Sequence, residues 1–158
     1  ELLDLNSVFQ EVIGLLNGDA VLRDIAVAIE LSPGLPPVSG DRIQLQQVAL
    51  NLMVNAFEAV KERANGGRRV LIRTGRKDDQ ILAAVTDNGR GIAAGDTERI
   101  FKPFFTSKPQ GLGMGLSICR SIVNSHRGRL WVETNPSGGA SFCFSLPIAA
   151  EESIIDPA

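Results

Sequence analysis

The chain has 158 residues, 44% of them hydrophobic, and 16 basic side chains against 18 acidic ones leave a net charge of −2. That suffices for one substantial core, most economically a single domain, and the near-neutral balance argues against nucleic acid or a membrane surface as the main partner. No apolar run approaches the ~20 residues of a spanning helix and no signal peptide opens the chain, so a piece of a longer, cytoplasmic protein is expected, beginning here at Glu1.

Residues 5–22 repeat apolar side chains at Val8, Val12, Leu15, Leu16 and Ala20, a helical period weakened by Gly14 and Gly18. Residues 26–31 alternate as a strand, and the segment 32–37, Ser-Pro-Gly-Leu-Pro-Pro, can continue no element. Asp41 is placed to cap a long helix reaching about Ala64. On it Gln44, Gln47, Asn51, Asn55, Glu58 and Glu62 recur every three or four residues as one polar stripe in an otherwise largely apolar circumference. Two asparagines one turn apart beside a core call for hydrogen bonds or a ligand, although a stripe that faces water is the plainer reading. Amide oxygens are hard ligands that suit Mg2+.

Val70, Ile72 and Thr74 alternate with arginines and leucine as a second strand, and the turn 77–80 sends the chain back through the apolar run 81–86 to Asp87. Alternation places Asp87 on the side of Ile81, Ala83 and Val85, toward an apolar interior. A carboxylate persists there only if donors satisfy it. Gly89 and Gly91 allow a sharp turn and close approach of a ligand; a planar base offering an amino group would meet the need, while Asp-Asn-Gly is also ordinary turn chemistry.

Residues 93–110 lose periodicity and carry Phe101, Phe104 and Phe105, rings that would pin a loop to the core. Thr106, Ser107 and Lys108 lead into Gly111, Leu112, Gly113, Met114 and Gly115, and a helix runs from about Met114 to Ser125. Glycines at a helix N-terminus present free N–H groups suited to polyphosphate, or form a hinge. Two strands, 130–134 and 141–146, close the domain through a turn ending in Gly138 and Gly139. Ser141 is expected to reach a ligand near Asp87, the domain to span 1–147, and 148–158 to be a frayed tail. Cys119 and Cys143 lack metal or redox spacing and read as reduced core thiols.

Taken in order, NLMVNA (51–56), DNGRGI (87–92), FKPFFTSK (101–108), GLGMGL (111–116) and GGASFCF (138–144) resemble the motif boxes of the ATP-binding catalytic domain of sensor histidine kinases. The resemblance spans about 5–147. It implies that family's α/β two-layer sandwich, the Bergerat fold, with a mixed sheet of about five strands backed by three helices and an ATP lid. By the same resemblance Asn55 is the Mg2+ ligand and, with Lys108, catalytic, and Asn51 is its polar helper. Asp87 accepts from the adenine amino group, assisted by Ser141 through water, and Gly89, Gly91 and Ile92 wall the adenine. Phe101 and Phe104 anchor the lid, and Ser107, Lys108 and the backbone of Gly111, Leu112, Gly113, Met114, Gly115 and Leu116 hold the triphosphate.

The implied activity is transfer of the γ-phosphoryl group of ATP, with Mg2+, to a histidine on a separate helical dimerisation domain, and the implied further partner is a response regulator. Two departures stand out: Glu58 occupies a position that many members fill with a basic residue, so the phosphate charge falls to Lys61 or Lys108, and Arg127 interrupts the usual His-Gly-Gly. His126, the single histidine, sits at a helix end and reads as structural. ATP-hydrolysing relatives such as DNA gyrase, mismatch-repair ATPases and heat-shock chaperones share the helix and glycine motifs, but carry a glutamate where this chain has Asn51. A catalytically silent nucleotide-binding module is the other alternative.

Overall fold

The computed structural model describes residues 1–64, 66–102 and 115–150. A five-stranded mixed sheet is backed on one face by three helices, the architecture the motifs imply. Helix α1 is Leu5–Leu22, α2 Arg42–Val60 and α3 Gly115–Ser125. The sheet strands are β2 (Ile25–Leu31), β4 (Arg68–Lys77), β5 (Gln80–Asp87), β6 (Arg129–Thr134) and β7 (Ala140–Pro147), in the order β2-β4-β5-β7-β6. Among the described residues only the β2–β4 pair is parallel. Two-residue strands β1 (Leu2–Leu3) and β3 (Val38–Ser39) pair antiparallel to one another, which the sequence reading did not anticipate.

The local signals explain the boundaries. Asp4 and Asp41 cap α1 and α2: each has extended backbone and a carboxylate that accepts an N–H of the first turn, Asn6 in α1 and Gln44 in α2. Helix α2 stops at Val60 rather than continuing to Ala64: the Lys61 and Arg63 N–H groups turn to the carbonyls three residues back, of Glu58 and Val60, and the Ala59 carbonyl that Arg63 would take in a continuing helix accepts from Arg90 instead. Asp78, in the two-residue turn between β4 and β5, adopts φ 57°, which Asp tolerates better than most residues.

Alternation along the strands sends Val70, Ile72, Ile81, Ala83, Val85, Phe142, Phe144, Leu146 and Leu130 toward the helices, where all are buried. Phe9 of α1 stacks on Phe144, and α2 lies across β5 between the other two helices. Cys119 and Cys143 are free and buried, as expected, and burial pushes their thiols up to about 12 and about 11. At the C-terminal end, Ile148 N–H donates to the Asp79 carbonyl and Ala149 N–H to that of Pro37, so the tail expected from Ile148 is tied down for its first two residues. Residues 151–158 lie outside the described part.

His126 joins two helices. Its Nδ1 lies 2.8 Å from the Ile122 carbonyl and its Nε2 accepts the Asp41 N–H at 3.1 Å, which fixes the proton on Nδ1. Both ring nitrogens are engaged between the end of α3 and the start of α2.

Candidate functional site

The site forms where β5 ends beneath α2. Register carries Asp87 opposite Val70 on the helix-facing side of the sheet, and only 3% of its surface is exposed. Oδ1 accepts the N–H groups of Gly89 at 2.9 Å and Ala140 at 3.4 Å. Oδ2 is buried and has no hydrogen-bond partner; it is the sole such side-chain atom among the described residues. Burial raises the Asp87 pKa, while the Gly89 and Ala140 N–H groups and the nearby Arg90 charge act against that rise. A buried acceptor with an unfilled lone pair carries a desolvation cost that a ligand donor would relieve. An exocyclic amino group is such a donor.

The glycines around Asp87 are there because backbone runs against backbone. A Cβ on Gly89 would sit 2.1 Å from the Ala59 carbonyl oxygen of α2, and one on Gly139, at φ 92°, 2.0 Å from that of Asp87. Gly91 turns at φ 76°, and Ile92 beyond it packs half-buried against the core. These contacts bring Asp87, Gly89, Gly91 and Ile92 into one corner.

Asn51 and Asn55 lie half-buried on α2. Asn51 reaches α3, where its amide flanks Gly115 at the first turn, while the Cys119 thiol donates to the Val48 carbonyl of α2 at 3.9 Å. Asn55 makes no side-chain hydrogen bond among the described residues, which leaves its amide oxygen available to a hard cation. No group of three or more His, Cys, Asp or Glu residues able to hold a metal occurs among the described residues. Phe101 is buried, set edge-on to Phe142 at 6.2 Å between centroids, and the Arg120 guanidinium of α3 lies 4.7 Å above its ring. Leu116 packs partly buried against the core, and Gly115 is exposed. Phe104, Ser107, Lys108, Gly111, Leu112, Gly113 and Met114 lie outside the described residues.

Two expectations change. Ser141 does not face Asp87: it pairs with Thr86, and the two hydroxyls meet at 2.9 Å on the opposite face of the sheet. The strand parity that buries Phe142 and Phe144 turns Ser141 outward, and what β7 gives Asp87 is the backbone N–H of Ala140. A backbone donor leaves no mark in side-chain identity, so the only trace of it in the sequence is the Gly138–Gly139 pair that lets β7 begin against Asp87. Lys61 in turn is held by Glu58 at 3.2 Å, and Glu58 also binds Arg23 of the α1–β2 connection at 3.0 Å. Glu58 raises the pKa of Arg23, its hydrogen bond being the largest cause. This group lines a cleft with Ile25, Phe57 and Arg68 at the α1 side of α2.

The family model of the histidine kinase-, DNA gyrase B- and HSP90-like ATPases matches residues 40–150. The sensor protein FixL of Bradyrhizobium diazoefficiens is 42% identical over 149 residues, covering 93% of this chain and 29% of that protein. The catalytic domain of the histidine kinase ThkA superposes with a TM-score of 0.84 at 32% identity, covering 94% of this chain and 95% of that one. ThkA crystallised with the response regulator TrrA gives 0.81 at 30% identity, covering 94% of this chain and 42% of that one. The chain belongs to this ATPase family, as a catalytic domain of the sensor histidine kinase type. It spans less than a third of FixL. Among the described residues no helix is long and apolar enough to cross a membrane.

Proposed function

We propose that this domain binds ATP with Mg2+ and donates the γ-phosphoryl group to a histidine on a separate helical dimerisation domain, from which a response regulator is served. The observation that carries the nucleotide part is the unpartnered, buried Asp87 Oδ2. It accepts from the adenine amino group, with Gly89, Gly91 and Ile92 walling the base. Asn55 supplies its amide oxygen to the metal, which when bound neutralises phosphate charge. Lys108, Ser107 and the backbone from Gly111 to Leu116 cradle the triphosphate at the start of α3, where N–H groups are free of intrahelical partners, and Phe101 and Phe104 anchor the lid. In transfer the bond from the γ-phosphorus to the bridging oxygen breaks, ADP leaves, and a P–N bond forms to the incoming imidazole. The whole is assigned to residues 1–147 and to the cytoplasm.

Hydrolysis is the weaker reading. The residue one turn before Asn55 is Asn51, whose amide is no base. His126, with both ring nitrogens bonded, offers no nucleophile. The ThkA–TrrA complex supports the response-regulator partner by similarity.

The expected outcome with γ-labelled ATP is that the isolated chain binds nucleotide, turns it over very slowly and does not label itself. Adding the helical histidine domain of the parent protein yields a phosphorylated histidine there. Asn55→Ala keeps the fold but abolishes both Mg2+-dependent tightening of ATP and transfer. Self-labelling lost in His126→Ala, rapid multiple turnover, or full Mg2+ dependence in Asn55→Ala would each contradict the assignment.

A further inference from the structure

Asn88 follows the carboxylate but belongs to a different set of contacts. Its Oδ1 accepts the Arg69 N–H at 2.9 Å and its Nδ2 donates to the Gly67 carbonyl at 2.7 Å. Its own N–H donates to the Arg69 carbonyl at 3.3 Å, and its carbonyl accepts from Arg63 Nε at 2.6 Å. The β4–β5 ladder ends at the pair Val70–Asp87. One residue further the Asn88 side chain, rather than its backbone, takes the next N–H of the incoming chain. That substitution ends the strand and frees the main chain to turn, much as Asn does in turns generally. On the α2 side the Arg90 N–H donates to the Ala59 carbonyl at 3.3 Å, and Gly89 packs against the same group. The turn is thus held from the end of α2, from the α2–β4 connection and from the start of β4, by residues that make no hydrogen bond to the Asp87 carboxylate.

We propose that Asn88, supported by Arg63, is a positioning residue for nucleotide recognition: its amide clamps the turn so that Asp87 Oδ1 collects both backbone donors and Oδ2 stays unfilled toward the base. This rests on the reading of Asp87 as acceptor of the adenine amino group. Asn88 touches no ligand itself. Its effect is preorganisation: with the clamp gone the Gly89 N–H drifts, the carboxylate rotates or hydrates, and part of the binding free energy is spent restoring its geometry.

The test is a double-mutant cycle on Mg2+–ATP affinity by calorimetry, with Asn88→Ala, Asp87→Asn and both together. Asn88→Ala is expected to weaken binding roughly tenfold, the scale of one lost ordering contact, and to cost nothing further once Asp87 is Asn. The 13C carboxyl resonance of Asp87 shifts in Asn88→Ala. Should Asn88→Ala fail to fold, Arg63→Ala, a change at an exposed side chain, gives a smaller effect of the same sign and the same non-additivity. Additive losses, or a lowered melting temperature with affinity and carboxyl resonance unchanged, would overturn the positioning role and leave the acceptor reading standing. Undiminished affinity in Asp87→Asn alone would remove both.

Discussion

With Asp87 as the proposed acceptor of the adenine amino group, Asp87→Asn is expected to weaken Mg2+–ATP binding by one to two orders of magnitude, the loss of a charge-assisted hydrogen bond worth ~1.5–3 kcal/mol. The size follows from the two sides of the carboxylate. Gly89 and Ala140 direct N–H groups at the Oδ1 position, so an asparagine places its oxygen there and its NH2 where Oδ2 had been. Donor then faces donor at the adenine amino group, whereas the carbonyl of guanine would meet a donor, and the preference for ATP over GTP falls. Calorimetry with both nucleotides reads this; equal ATP affinities in the two proteins would refute the acceptor role.

The same carboxyl makes binding pH-dependent. Because burial raises its pKa in the free domain, stability from the protonated form is present at low pH and is lost as pH rises through that raised value. On the proposed contact, the adenine donor would favour the ionised form and lower the pKa again. ATP binding is therefore expected to release a proton in the window between the ordinary carboxylate value and the raised one, and Asp87→Asn to release none there. Titrations in two buffers of different ionisation enthalpy separate these outcomes.

Gly139→Ala is expected to be the most damaging small substitution at the site. At φ 92° the residue lies in the left-handed half of conformational space, and the new methyl would meet the Asp87 oxygen at 2.0 Å and the Asn88 Cα at 2.8 Å, all backbone. Relief requires β7 to retreat from β5, which breaks the Ala140 N–H bond to Asp87. Strain alone is of order 1–3 kcal/mol, and at about 2–4 °C per kcal/mol for a domain of this size the melting temperature is expected to fall by roughly 2–12 °C, with ATP affinity. Gly14→Ala is the control: it lies inside α1 with open space around it, and alanine there stabilises by up to ~1 kcal/mol. Equal melting curves for wild type and Gly139→Ala would contradict the packing described.

Long, periodic elements were readable from the residues: α1 within its observed bounds, α2 with its Asp41 cap, and the β4–β5 hairpin that buries Asp87. What escaped was set by tertiary partners. Strands β1 and β3 are two residues each and carry no period. Ser141 looked well placed because it follows two glycines, but its side is decided by pairing with Thr86, and a strand places neighbours on opposite faces. Glu58 broke a charge pattern for a reason visible only in space, since its partner Arg23 is 35 residues away at the end of α1. Asn88 and Arg63 were indistinguishable from ordinary turn and surface residues until their bonds were seen.

The pairing order of the sheet has a kinetic meaning. Strands β4 and β5 meet across a two-residue turn, and β6 and β7 across a short one, whereas β3 and α2 lie between β2 and β4 in the chain, and α3 and β6 between β5 and β7. Contacts that close long loops come late, because the entropy of closure precedes their reward. The β4–β5 and β6–β7 hairpins are then expected to form first, and the two long-range pairings, β2 on β4 and β5 on β7, to follow. On that order Val27→Ala in β2 speeds unfolding and leaves the refolding rate nearly unchanged in stopped-flow experiments. Slowed refolding would place β2 inside the transition state, and the turn that aims Asp87 would then assemble no earlier than the edge of the sheet.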